Sequence, residues 1–165
     1  MEDVCKIILK IKLVKKIVVI VFIILSFFSC GTTGKIGFYD FNAPKTEIEN
    51  QLYKIIGDSS EYAIPLKWKI HTEGDYFERY YIYFREGPEE LYQIGFTCDS
   101  LEWATSPVSK LALVAVFQEG TQFHYNSDLS YNERMRVQVR FETEIISKIK
   151  YTAVKNDNTP RCAGY

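Results

Sequence analysis

Any chemistry in this 165-residue chain would have to come from a short roster of side chains. Its two histidines stand far apart, each near carboxylates. His71 is followed by Glu73 and Asp75, a grouping that could form a mouth for a cation. The spacing matches no metal-ligand motif, and a polar hairpin tip explains it more simply. His124 lies in Gln122-Phe123-His124-Tyr125-Asn126-Ser127-Asp128, where Asp128 could orient it as a base. No activated serine or cysteine is marked beside that pair. Cys98 could in principle be a nucleophile, but among Tyr92, Ile94 and Phe96 it reads better as a buried or bridged sulfur. The chain carries no G-x-S-x-G, H-E-x-x-H, C-x-x-C, phosphate loop or dinucleotide fingerprint. The expectation is a non-enzymatic protein, with no catalytic residue, no metal ligand and no cofactor.

The most specific pattern lies at the beginning. Lys6, Lys10, Lys12, Lys15 and Lys16 precede an unbroken apolar run, Ile17 to Leu25, which continues through Ser26-Phe27-Phe28-Ser29 and stops at Cys30-Gly31. A basic region, a short apolar core and a small residue at the boundary form the layout of a secretory signal peptide. Ile17 to Phe28 makes about 18 Å of helix at roughly 1.5 Å per residue, short of the roughly 20 residues of a membrane span. An uncleaved span would need Ser29 to Thr33 to dip into the interface. On either reading the preceding lysines send the rest of the chain across the membrane.

With a cysteine at the boundary, the stretch resembles the lipobox of bacterial lipoproteins. Ser29 fits the small residue expected there, whereas Phe27 departs from the usual Leu, Val or Ile three before the cysteine. The resemblance covers residues 1–31 only. It implies that Cys30 receives a diacylglyceryl group, that cleavage falls just before it, and that its new amino group is acylated, for example by palmitate. Two or three chains anchor firmly where one is marginal. An ordinary cleaved signal, with Cys30 as a spare thiol, is the alternative. With Cys5 discarded and Cys30 acylated, Cys98 and Cys162 are left as one pair, and thiols outside the cytoplasm tend to oxidise. The alternative is a buried Cys98 and a free Cys162.

Five of the 20 basic and two of the 21 acidic side chains lie in residues 1–29, so the remainder carries a net charge of about −4. With no basic block, nucleic acid is excluded as a partner. All 12 tyrosines and both tryptophans fall after the leader, which points to folded, β-rich structure.

The elements follow from periodicity. Gly31 to Lys35 reads as a tether, with room for a short strand at Ile36 to Tyr39. A helix is expected from the cap at Asn42, with Pro44 in its first turn, Ile48, Leu52, Ile55 and Ile56 on one face, and Gly57 at its end. Four strands are expected: Ala63 to Ile70, Tyr76 to Arg85, Leu91 to Cys98, and an almost wholly apolar Lys110 to Phe117 that should be shielded on both sides. Ser130-Tyr131-Asn132-Glu133 is a capping-box pattern opening a helix to about Lys150. Its apolar stripe would be Tyr131, Met135, Val139, Ile145, Ile146 and Ile149, although residues 133–142 alternate as a strand would. The resulting fold is α+β: a two-layer domain with a four-stranded antiparallel meander and an N-terminal and a C-terminal helix packed on one face. Residues 1–29 are a leader, 30–41 the lipidated cysteine and tether, 42–151 one domain and 152–165 a polar tail.

Setting Ile82 opposite Ile94 places Lys67, Arg79, Tyr81, Tyr83 and Gln93 on the outer face of that sheet, with Tyr81 over Gly95 and Lys67 across from Arg79. A cation-and-tyrosine surface suits an anionic or sugar-like ligand or a protein partner; the solvated face of an ordinary sheet looks similar. The expected protein is thus exported and membrane-anchored on the periplasmic side of the envelope, at the outer membrane. It binds an envelope protein or small ligand. A structural accessory, an immunity-type inhibitor and, last, a hydrolase using His124 are the alternatives.

Overall fold

The computed structural model describes residues 34–57, 60–69, 79–118 and 122–156. They belong to a compact unit, Thr33–Tyr165, separate from Met1–Thr32. The leader, Cys30, His71 with Glu73 and Asp75, and Cys162 lie outside the described residues.

Among the described residues the unit is α+β, built on an open antiparallel sheet of six strands with four helices. In chain order these are β1 (Gly37–Phe41), α1 (Lys45–Gly57), α2 (Leu66–Lys69), β2 (Arg79–Phe84), β3 (Glu90–Phe96), α3 (Ser100–Thr105), β4 (Ser109–Phe117), β5 (Phe123–His124), α4 (Tyr131–Glu144) and β6 (Ala153–Asn156). The sheet runs β2-β3-β4-β1-β6, with β5 on β4 alongside. This is not the four-stranded meander that periodicity suggests.

β1 falls where the sequence leaves room for a short strand, at Ile36 to Tyr39, whereas β6 comes from the segment that reads as a polar tail. Gly37–Phe41 alternates its side chains between the two layers and sits inside the sheet, pairing with β4 on one side and β6 on the other. Ala153–Asn156 closes that side. The expected first strand is replaced by α2. Pro65 lacks the N–H a ladder requires, and its carbonyl instead accepts the Trp68 N–H at 2.9 Å, starting a helical turn. Leu66 is left exposed and Trp68 buried, so the period-two pattern there did not describe a half-buried strand.

The main core lies on the helix-bearing layer, where Ile48 and Leu52 of α1 meet Val137 and Phe141 of α4 and the sheet residues Tyr39, Phe41, Ile82, Phe84, Tyr92, Ile94, Leu111 and Leu113. Each large side chain fully buried here contributes about 1.5–3 kcal/mol. α1 begins at Lys45, so Pro44 stands just before the helix and not in its first turn, and Asn42 is not its cap; the Pro44 carbonyl accepts the N–H groups of Glu47 and Ile48. The α4 capping box is complete: the Ser130 hydroxyl accepts the Glu133 N–H, and the Glu133 carboxylate accepts the Ser130 N–H. Helix, not strand, holds over 131–144. Of the expected stripe Ile145 and Ile149, just past the helix, are buried, but within the helix Val137 and Phe141 point into the core while Tyr131 and Val139 face solvent.

The sheet's other face is also covered. Trp68 packs with Tyr83, Leu91 and Phe117, and Phe38, Ala112, Val114 and Ala115 form a further cluster. Strand β4 is consequently shielded on both sides, as its unbroken apolar run implies. Cys98 does not extend β3 inward. It follows the strand's end in a left-handed conformation (φ +77°) that swings the chain into α3. There Asp99 caps the helix by accepting the Leu101 and Glu102 N–H groups. Cys98 is disulfide-bonded. Its partner lies outside the described residues. Among the described residues no helix is long and apolar enough to cross a membrane.

Candidate functional site

The residues expected to form an outer binding face do not make one open surface: Tyr83 and Gln93 are buried, Arg79 and Tyr81 are partly buried, and Lys67 is exposed. The β2–β3 connection runs from Arg85 to Glu89, so Phe84 pairs with Glu90 and the register differs by two from that drawn through Ile82 and Ile94. Tyr81 therefore faces Gln93, Arg79 faces Gly95, and Tyr83 faces Leu91. Tyr83 and Gln93 are only 1% and 3% exposed. Trp68 and Phe123 cover this layer, and the Gln93 amide donates to the Tyr81 hydroxyl at 3.0 Å. Lys67 does not stand across from Arg79 as a paired strand residue; it pairs with Glu89 at 2.5 Å. This part of the molecule is a second core.

His124 sits in β5, opposite Val116. The Asp128 carboxylate accepts the Tyr125 N–H at 2.8 Å and the Ser127 hydroxyl at 3.3 Å, so it closes a local turn. Among the described residues no group of three or more His, Cys, Asp or Glu could hold a metal ion.

The strongest charge cluster was not anticipated. Glu90, at the start of β3, has a fully buried carboxylate. Arg136 grips it with both terminal nitrogens at 2.6 and 3.0 Å, and Arg140 reaches it at 3.1 Å. The Tyr92 hydroxyl and the Gln118 amide donate the remaining bonds, at 2.9 and 3.0 Å. Burial alone would raise the Glu90 pKa, but these donors and the two guanidinium charges outweigh it and hold the carboxyl below its ordinary value. The same burial and the adjacent carboxylate push the Tyr92 phenol upward. Arg140 also donates to the Pro88 and Glu86 carbonyls and lies over the Phe84 ring. Every oxygen of Glu90 is engaged. The cluster clasps α4 to the β2–β3 end of the sheet.

The other end of α4 borders a cleft of about 520 Å³. The chain enters the described fold here, with the Asn126 N–H donating to the Gly34 carbonyl at 3.2 Å. Lys35, Arg134 and Lys155 line the cleft with the amides of Asn126, Gln138 and Asn156. Among the described residues lining it there is no carboxylate. Arg134 donates to the Asn126 side-chain amide oxygen at 3.0 Å and lies over the exposed Tyr131 ring. Lys155 donates to Gln138 at 3.1 Å and pairs with Glu142, just beyond the lining, at 2.7 Å. Lys35 has a lowered pKa, first from desolvation and then from the positive charge of Arg79. The cleft's local balance is therefore positive in a unit whose net charge is negative.

Gly37 keeps the floor open. A Cβ there would lie 3.2 Å from the Tyr39 hydroxyl and 3.4 Å from the Gln138 amide nitrogen. Gln138, although buried, spends that nitrogen on the Ile36 carbonyl. The Asn156 amide nitrogen is likewise engaged, donating to the Asp40 carboxylate at 3.1 Å, so the cleft offers chiefly its cations around a few apolar surfaces (Ile36, Phe38, Met135), a composition suited to an anionic group.

Fold and cleft together define a small α+β domain with a donor-rich recess beside an edge strand. Comparison with family models, with curated proteins and with solved structures finds no match.

Proposed function

We propose that this chain is an exported lipoprotein of the bacterial cell envelope, acylated at Cys30, whose α+β domain works by binding and not by catalysis. The anchor reading rests on the lysine-rich, apolar, Ser29-Cys30 sequence pattern. The binding reading is carried by one observation, the recess lined by Lys35, Arg134, Lys155 and three amides. It supplies donors without an adjoining nucleophile–base pair, which is what recognition of an anionic group requires. Outer-membrane placement on the periplasmic side, and a ligand or partner drawn from the envelope, belong to the same proposal.

Two measurements test it. Mass spectrometry of the membrane-extracted protein should find a chain beginning at Cys30 and carrying acyl chains; an unmodified chain retaining residues 1–29 refutes the anchor. Crosslinking in intact envelopes should give a product that Arg134→Glu abolishes and His124→Ala leaves untouched, with both variants folded. The reverse pattern would favour a reaction centred on His124.

A further inference from the structure

Resting on that reading, we infer that the Lys35–Arg134–Lys155 cleft is the membrane-facing end of the domain and seats phosphate headgroups of the lipid layer that holds the anchor. The first argument is reach. Gly34, hydrogen-bonded to Asn126 on the cleft rim, lies four residues after Cys30. Four extended residues span at most about 14 Å. The rim cannot stand farther than that from an acylated Cys30. This distance is comparable to the thickness of a headgroup layer plus a Debye length of about 8 Å.

The second argument is charge. A unit with a net charge of about −4 is repelled as a whole from an anionic lipid surface. Only a locally cationic face can approach it, and this cleft is such a face, placed where the tether enters. Lys155 is partly offset by Glu142, so Lys35 and Arg134 carry the uncompensated charge. The third argument is the rim itself. Tyr131 is 66% exposed with Arg134 over its ring, and an exposed tyrosine with a basic neighbour suits the headgroup region, where one end of the ring is apolar and the other wet. The consequence is orientation: the domain would stand on this end and not swing freely on its tether.

The test is lysine footprinting of the acylated full-length mature protein, purified from membranes and reconstituted into vesicles. One set is phosphatidylcholine alone and the other contains about a quarter phosphatidylglycerol. A water-soluble amine reagent is applied and labelling is read by mass spectrometry. Labelling of Lys35 and Lys155 should fall at least about fivefold in the anionic vesicles, as expected for cations at a charged surface, and recover in high salt. Lys54, exposed on α1, is the internal control and should not change. Arg134→Glu should abolish the protection of Lys35 while the buried Lys45 stays as weakly labelled as in the native protein, which shows the fold intact. Equal labelling of Lys35 in both vesicle types overturns the inference. So does equal protection by free glycerol phosphate over neutral vesicles, which would make the cleft a soluble-ligand site. A protein that carries no acyl chain and washes off the vesicles refutes the anchor reading instead, so the two failures are distinct.

Discussion

At the scale of single residues, the chain relies on a few backbone positions that only particular side chains tolerate. Gly87, in the connection between β2 and β3, has φ +74° with open space around the site of a Cβ. Its requirement is therefore conformational and not steric. Gly87→Ala should cost about 1 kcal/mol, from the left-handed backbone alone. Urea denaturation checks this, and an unchanged midpoint would show that the turn relaxes to another conformation. Cys98 shares the left-handed region without being glycine, at φ +77°. There the neighbouring Thr97 backbone, tied to the Lys110 carbonyl at 2.9 Å, and the disulfide hold it in place.

At the scale of elements, α4 is held at two ends by different physics. Its C-terminal half is pinned by apolar burial of Val137, Phe141 and Ile145 and by the Glu90 clasp. Its N-terminal turn is fastened by the capping box and then opens onto the cleft. Removing the Glu90 charge leaves Arg136 and Arg140 facing a neutral amide, so Glu90→Gln should destabilise by about 3 kcal/mol. The low end of the usual range applies because Arg136 retains a 40% exposed side chain. The pH dependence has a definite sign. A carboxyl whose folded pKa lies below its ordinary 4.5 contributes stability that is complete above about pH 5 and is lost as pH falls through the folded value. The gap between the native chain and Glu90→Gln should accordingly be widest near neutrality and narrow below about pH 4.5. A gap independent of pH would mean that the clasp acts through shape and not charge. Arg136 and Arg140 stand one helical turn apart, the one sequence signal that could have marked them as a pair. Their partner was hidden, because nothing local distinguishes Glu90 from Glu86 or Glu89 in the same acidic turn.

At the scale of the whole molecule, the covalent frame and the proposed membrane anchor are tied through the assignment of the cysteines. Cys98 is disulfide-bonded, and we propose Cys162 as its partner, which leaves Cys30 for acylation. Closing that long loop is worth about 4 kcal/mol on the chain-entropy model. Cys162→Ser should lower stability by about that amount, and a non-reducing peptide map should link the Cys98 and Cys162 peptides in the native protein. A Cys98–Cys30 peptide in that map would overturn both the pairing and the lipoprotein reading at once. The sheet order also matters at this scale. With β1 between β4 and β6, the strand that follows the proposed tether is interior, so a pull on the proposed anchor would act on a strand paired along both edges.

Some of this protein was legible from local pattern alone. The α4 capping box, the end of α1 at Gly57 and the doubly shielded β4 are each written in consecutive residues, because their signals are short-range backbone preferences, local hydrogen bonds or an unbroken apolar run. The lysine-rich apolar stretch ending at Cys30 is also a local pattern, and it is the basis for the proposed address. What sequence could not decide was register, strand order and which polar groups are buried together. Ala63 to Ile70 alternates like a strand, yet Pro65 and the burial of Trp68 under a second face make it a turn of helix. Tyr83 and Gln93 looked like surface until Trp68 covered them. Lys35, Arg134 and Lys155 are far apart in the chain, and only a central N-terminal strand with the C-terminal strand beside it brings them to one cleft. Non-local pairing decides that, and no window of neighbouring residues contains it.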